Sequence, residues 1–173
     1  MQRSTPKGKP GISRINCNYF KYKTVAYADG VHNEQETPMS KPTILCVDDE
    51  KFILETLKKQ IRYIFADKYH YEVAESAEEG WEVIEELSVE RPIQCLIFSD
   101  YLMPDVRGDE FLIQVYQKYP EIVSVMLTGQ VDPYTLGQLK EKLPLHRCIH
   151  KPWSLQDIIE AVESGMAVYG NLK

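Results

Sequence analysis

The chain has 173 residues, 43% of them hydrophobic and 27% charged, with a formal net charge of −6; this suits one compact α/β domain plus an appendage. No run approaches the roughly 18 apolar residues of a membrane span, and no signal-peptide core precedes a small-residue cleavage site. Residues 1–38 carry six basic and three acidic side chains, so residues 39–173 carry −9, a balance that makes the acidic part a poor polyanion binder, because duplex affinity comes largely from Lys and Arg neutralising phosphates.

In chain order, residues 1–40 are rich in Pro and Gly and show no sustained period. They are expected to be an irregular, disordered extension, with Met39 as the candidate native start and residues 41–170 as the folded domain. Thr43–Val47 reads as a buried strand. Glu50–Phe65 reads as a helix burying Phe52, Ile53, Leu57, Ile61, Ile64 and Phe65. Tyr71–Ala74 is a short strand, and Ser76 opens a capping box (Ser-Ala-Glu-Glu) for a helix to about Leu87. Ile93–Ser99 is the third strand and Gly108–Tyr119 the next helix, stopped by Pro120. Ile122–Leu127, a weaker helix over Pro133–Lys142, and Arg147–His150 follow. Ser154 caps a last helix carrying Leu155, Ile158, Ile159, Val162 and Met166. Five β–α units with near-continuous apolar strands predict a parallel sheet covered on both faces: a flavodoxin-like, doubly wound (βα)5 fold in the order 2-1-3-4-5.

Charged side chains recur at the carboxyl ends of these strands. Asp48-Asp49 follows the first, Asp100 the third, Thr128 ends the fourth and Lys151-Pro152 follows the fifth. Open α/β sheets put their chemistry along that edge, and the switch point of the 2-1-3-4-5 order lies between strands one and three. Clustered carboxylates repel unless a cation is present, and hard oxygen ligands favour Mg²⁺, which prefers one or two carboxylates, waters and a phosphate oxygen. A carboxylate nucleophile at phosphorus gives an aspartyl-phosphate. A nearby ammonium and hydroxyl can then bind the phosphoryl oxygens.

These residues, in Asp48-Asp49, Ser-Asp100-Tyr-Leu-Met-Pro, Gly108, Leu-Thr128-Gly and Lys151-Pro152, resemble the receiver domain of two-component response regulators over about residues 41–168. The resemblance implies Asp100 as phosphoacceptor and Asp48, Asp49, Asp100 and the Leu102 carbonyl as ligands of Mg²⁺, with Mn²⁺ as a substitute. It also implies Thr128, Gly129 and Lys151 as the phosphoryl-binding group, and a cis peptide at Lys151–Pro152. Receivers usually carry Tyr or Phe three residues before the Lys. Here that switch position is Cys148, whose thiol lacks the volume and quadrupole behind the usual hydroxyl–aromatic coupling, and Trp153 is expected to take over part of the surface role. Leu102 and Gln130 would flank the path of hydrolytic water. Gly108 reads as a loop glycine and Tyr101 as packing. His70, His146 and His150 show no ligand spacing.

The function expected is that of a phosphoacceptor signalling module in a phosphorelay, with self-phosphorylation and autodephosphorylation but no turnover chemistry. A sensor histidine kinase or histidine phosphotransfer protein is the expected donor. Output through an unidentified downstream protein is expected, without nucleic acid or membrane, from a monomer or a phosphorylation-dependent dimer. Cys46, Cys95 and Cys148 lie in apolar runs without metal spacing, which favours reduced thiols and a cytoplasmic location. The alternatives are a receiver fragment of a larger regulator and a haloacid-dehalogenase-like phosphohydrolase. The latter usually places its nucleophile after the first strand in Asp-x-Asp form.

Overall fold

The computed structural model describes residues 41–89, 93–129 and 133–170. The expected irregular extension over 1–40, with its candidate start at Met39, and Gln130 lie outside the described residues.

Among the described residues five strands and five α-helices alternate: β1 (Thr43–Val47), α1 (Lys51–Phe65), β2 (His70–Ala74), α2 (Ala77–Leu87), β3 (Cys95–Asp100), α3 (Gly108–Lys118), β4 (Val123–Thr128), α4 (Pro133–Lys142), β5 (Arg147–His150) and α5 (Leu155–Gly170). A single 3₁₀ turn, Ala66–Lys68, follows α1. All strand pairs are parallel and the order is β2-β1-β3-β4-β5, the doubly wound order expected from the sequence.

Period-two alternation sends successive side chains of each strand to opposite faces. Ile44 and Cys46 of β1, Leu96 and Phe98 of β3, and Val125 and Leu127 of β4 meet Leu54, Leu57 and Ile61 of α1 and Ile158, Ala161 and Val162 of α5. Leu45, Val47, Cys95, Ile97 and Met126 face the other way, onto Ile84 of α2, Phe111, Leu112 and Val115 of α3, and Leu139 of α4. Burial on both faces is why β1, β3 and β4 read as unbroken apolar runs rather than as alternating ones. Each large aliphatic side chain so buried contributes about 1.5–3 kcal/mol.

Several boundaries differ from the sequence expectation. β3 begins at Cys95 rather than Ile93 and includes Asp100, so the carboxylate sits on the strand itself. Phe52, expected on the inner face of α1, is 79% exposed, while Leu54, unassigned from the sequence, is buried. The core-facing stripe is set by Leu54, Leu57 and Ile61, and at 100° per residue Phe52 falls outside it. The Ser76 cap forms as expected, its hydroxyl accepting from the Glu79 amide at 3.1 Å. The Glu79 carboxylate, however, reaches the amide of Glu75 at 2.8 Å rather than that of Ser76. Ser154 and Asp157 close a full reciprocal box at the start of α5: the Asp157 carboxylate accepts from the Ser154 amide at 2.9 Å, and the Ser154 hydroxyl from the Asp157 amide at 3.2 Å.

Candidate functional site

Parallel pairing brings the carboxyl ends of β1, β3, β4 and β5 to one edge. Val47 pairs with Ser99, Asp100 with Leu127 and Thr128 with His150. The residues just beyond Val47 and His150 therefore flank Asp100, and Asp48, Asp100 and Lys151 converge. Asp48 is 1% exposed and Asp100 6% exposed. The Lys151 ammonium lies 2.7 Å from Asp48 Oδ2 and 2.5 Å from Asp100 Oδ1. One cation thus bridges two buried carboxylates, an arrangement that a buried carboxylate requires because its desolvation is otherwise uncompensated.

The remaining carboxylate oxygens are held by backbone. Asp48 Oδ1 accepts from the Glu50 amide at 2.9 Å and Asp100 Oδ2 from the Leu102 amide at 2.7 Å. The Lys151 segment is itself fixed, because the Lys151 amide donates to the Thr128 carbonyl at 2.7 Å. The Lys151–Pro152 bond is cis, as the resemblance implied.

Burial pushes the Asp48 carboxyl above the ordinary aspartate value, against the opposing pull of the hydrogen bonds from Lys151 and Glu50. For Lys151 burial pulls the ammonium down, yet the bonds to Asp100 and Asp48 outweigh it and the net shift is upward. The two directions are compatible. Lys151 answers to two carboxylates, whereas Asp48 shares its one ammonium with Asp100 and is the more deeply buried partner.

Thr128 is 0% exposed, and its hydroxyl has no hydrogen-bond partner among the described residues. A buried hydroxyl without a partner costs stability, and Ser124 earlier in the same strand shares the condition. Asp49 is exposed beside Asp48. Among the described residues no three or more His, Cys, Asp or Glu side chains cluster tightly enough to hold a metal by themselves; Lys151 occupies the space between Asp48 and Asp100. The donor set nevertheless suits a hard divalent cation of the Mg²⁺ kind. It offers carboxylate oxygens in excess of the local positive charge, and such a cation retains waters and takes phosphate oxygens for the rest of its shell.

The glycines divide. A Cβ on Gly108 would stand 1.8 Å from the Asp100 carbonyl oxygen, so no side chain fits there. Gly108 is a steric requirement of the site rather than the plain loop glycine read from the sequence. A Cβ on Gly129, which is exposed, would meet nothing within 4 Å among the described residues. Leu102 turns its side chain outward and is 63% exposed.

Cys148 packs half-buried against the α2–α4 face and pairs with Met126; by alternation it shares that face with Thr128. Trp153 packs on the opposite face, against the α1–α5 layer, and its indole donates to Gln60 of α1 at 2.8 Å. Its ring therefore lies on the face of the sheet opposite Cys148. Burial pushes the thiols of Cys46 and Cys95 up to about 12, which keeps them inert.

Two contacts near the site carry no sequence signal. Arg107 folds back over Tyr101, and Gln60 meets Trp153. The second joins residues 93 positions apart, so no local pattern marks it. The first joins neighbours in an irregular loop, where no period applies.

Residues 44–163 match the model of the response regulator receiver domain. Among curated proteins, the hydrogenase transcriptional regulatory protein HoxA of Cupriavidus necator is 27% identical over 128 residues, which are 74% of this chain and 25% of that protein. The chain thus spans about a quarter of the length of the curated relatives it matches. Among solved structures, a response regulator receiver domain protein from Clostridium thermocellum shares 25% identity with a TM-score of 0.65, covering 76% of this chain and 99% of that one. An uncharacterized protein from Neptuniibacter caesariensis shares 28% identity with a TM-score of 0.64, covering 75% and 90%. A family match over most of the folded residues, a sheet in the doubly wound order and a buried Asp–Lys–Asp bridge at its carboxyl edge agree, and the chain belongs to the response regulator receiver domain family.

Proposed function

We propose that Asp100 accepts a phosphoryl group from the phosphohistidine of a sensor kinase or phosphotransfer protein, and that residues 41–170 carry the resulting signal to a downstream protein in the cytoplasm. The observation that carries this reading is the Lys151 ammonium 2.5 Å from a buried Asp100 carboxylate at the carboxyl end of the central strand.

An Asp100 carboxylate oxygen attacks phosphorus, the N–P bond of the donor breaks, and its electron pair returns to the imidazole, which takes up a proton. The product is an acyl phosphate. Lys151 holds the carboxylate in place before transfer and offsets phosphoryl charge after it. The Thr128 hydroxyl, without a partner among the described residues, supplies a donor to a phosphoryl oxygen, and the exposed Gly129 beside it leaves room for the group. Asp48, Asp49, Asp100 and the Leu102 carbonyl are the residues that would hold Mg²⁺, or Mn²⁺ in its place. When bound, the ion would neutralise charge shared by the carboxylates and the incoming phosphoryl oxygens. Signalling then requires no turnover of a small substrate. The chain acts as a monomer or as a phosphorylation-dependent dimer, and sedimentation with and without the label tells the two apart.

The test is intact mass after incubation with acetyl phosphate and Mg²⁺. A gain of about 80 Da, an acyl phosphate on the nucleophilic Asp, is expected in the wild type and not in Asp100→Asn or without divalent metal. A wild type that never gains mass would sink the reading.

A further inference from the structure

The loop between β3 and α3 leaves Asp100 directly and is latched at both ends. On the backbone, the Tyr101 amide donates to the Leu127 carbonyl at 2.9 Å and the Tyr101 carbonyl accepts from the Gly108 amide at 3.0 Å. In the side-chain layer, the Arg107 guanidinium lies 4.8 Å from the centre of the Tyr101 ring and donates to the Tyr101 hydroxyl. It is held there by a two-pronged bond to Asp109, Nε to Oδ1 at 3.0 Å and Nη2 to Oδ2 at 2.7 Å. Tyr101 is itself buried in the α2–α4 layer. The fork geometry fixes the plane of the guanidinium, and the ring face beneath it adds a cation–π attraction. Arg107 therefore ties the amino-terminal end of α3 to the first residue after the phosphoacceptor.

We infer that Arg107, through Tyr101 and Asp109, is a positioning residue that holds Leu102 so that its amide stays on Asp100 Oδ2. Leu102 is the next residue along from the latched Tyr101, its side chain is largely exposed and its amide meets Asp100 at 2.7 Å. Nothing in its own packing holds it there. With the latch in place one Asp100 oxygen is engaged by Leu102 and the other by Lys151, which orients the carboxylate before any donor arrives. Pre-orientation of this kind is where much of the advantage of a fixed nucleophile comes from. Arg107 touches neither the phosphoryl group nor Asp100 in this account.

The inference rests on the phosphoacceptor reading for its consequence but not for its geometry, and the experiment separates the two. Amide hydrogen exchange is followed by NMR in the metal-free full chain for the wild type, Arg107→Ala, Arg107→Lys and Tyr101→Phe. Labelling by acetyl phosphate is followed in parallel. The Phe111 amide, which donates to the Arg107 backbone carbonyl at 3.0 Å, is the internal reference, because that bond survives every substitution. Arg107→Ala should speed exchange at Leu102 about five-fold, the scale of one lost hydrogen bond, with Phe111 unchanged, and slow labelling by a similar factor. Arg107→Lys should recover part of both, since an ammonium can sit over the ring but cannot fork onto Asp109. Tyr101→Phe keeps the ring and loses the hydroxyl, and serves should Arg107→Ala not fold; it should give a smaller effect of the same sign.

Equal acceleration at Leu102 and Phe111 would mean general fraying of α3 and would overturn the inference, as would exchange at Leu102 that does not change. A wild type that exchanges as expected but takes no label would sink the phosphoacceptor reading and leave the latch standing.

Discussion

At the two ends of the parallel sheet the Tyr169 phenol and the Asp48–Lys151–Asp100 cluster handle burial in opposite ways, although Ser124 near the amino end, like Thr128 at the other, buries a hydroxyl without a partner among the described residues. At the amino end the Tyr169 phenol of α5 reaches between β3 and β4. Its oxygen accepts from the Cys95 and Val123 amides at 3.2 and 3.3 Å, and its hydroxyl lies 2.6 and 2.8 Å from the Cys95 and Glu121 carbonyls. Every partner is backbone, and burial pushes the phenol far above its ordinary pKa, so it stays neutral. At the carboxyl end two carboxylates share one ammonium and the Thr128 hydroxyl has no partner among the described residues. The first arrangement closes a polar group off; the second leaves capacity open. Polar burial is fully satisfied at Tyr169 and left with spare capacity at the proposed phosphoacceptor edge, the pattern expected where a fold gives up stability for a site.

That contrast breaks most visibly at Lys151. Lys151→Ala should slow labelling by acetyl phosphate by about 10²–10³, the scale of losing one preorganised charge partner. Fold content by circular dichroism should be retained. A rate within a few-fold of wild type would remove Lys151 from the chemistry. Next in size is Tyr169→Phe, which should cost about 1–3 kcal/mol in urea unfolding, because two strand amides lose their acceptor. Labelling per folded molecule should be unchanged; a labelling defect would mean the two ends are coupled.

A smaller effect distinguishes the ends by pH. The Asp48 carboxyl has a folded pKa above its unfolded value of 3.8, so the native state binds that proton more readily. Its contribution to stability is full below pH 3.8 and is lost as pH rises through the folded pKa. Asp48→Asn should therefore gain on the wild type as pH rises from 3.5 to 7, measured as the difference between their urea midpoints. A difference that does not vary with pH would show that Lys151 fully offsets the burial of Asp48.

The smallest effect has the opposite sign. His146, whose ring lies 2.7 Å from the Ser164 hydroxyl, is held below 6.5 by burial and by Arg147. The unfolded chain binds its proton more readily, so stability should fall as pH drops from 6.5 toward the folded value. His146→Gln should flatten that decline in thermal midpoints recorded between pH 7 and 5.5.

Much of the fold was legible because the relevant signals are local. Unbroken apolar runs marked the inner strands, Ser76 and Ser154 marked helix starts, and strand-end position alone brought Asp48, Asp100, Thr128 and Lys151 to one edge. The rest depends on distance in space. Tyr169 meets Cys95 across 74 residues, and a tyrosine near the end of a helix carries no mark of that partner. Phe52 was misplaced because its apolarity was read without the phase that Leu54, Leu57 and Ile61 impose. Gly108 looked ordinary, since its need arises from a carbonyl eight residues back that only the folded loop brings close. Trp153 follows the Lys-Pro pair in sequence, and only the fold shows which face of the sheet it packs against.

The bond between Trp153 and Gln60 has a spectroscopic consequence. The chain has two tryptophans, and Trp81 lies in the other helical layer, edge-on to Phe111 at 5.9 Å. A Trp81→Phe chain would emit from a single indole placed two residues from Lys151 and anchored to α1. Any rearrangement of that segment when the carboxyl edge is charged or filled would then appear as a change in emission wavelength, giving the site a built-in optical reporter.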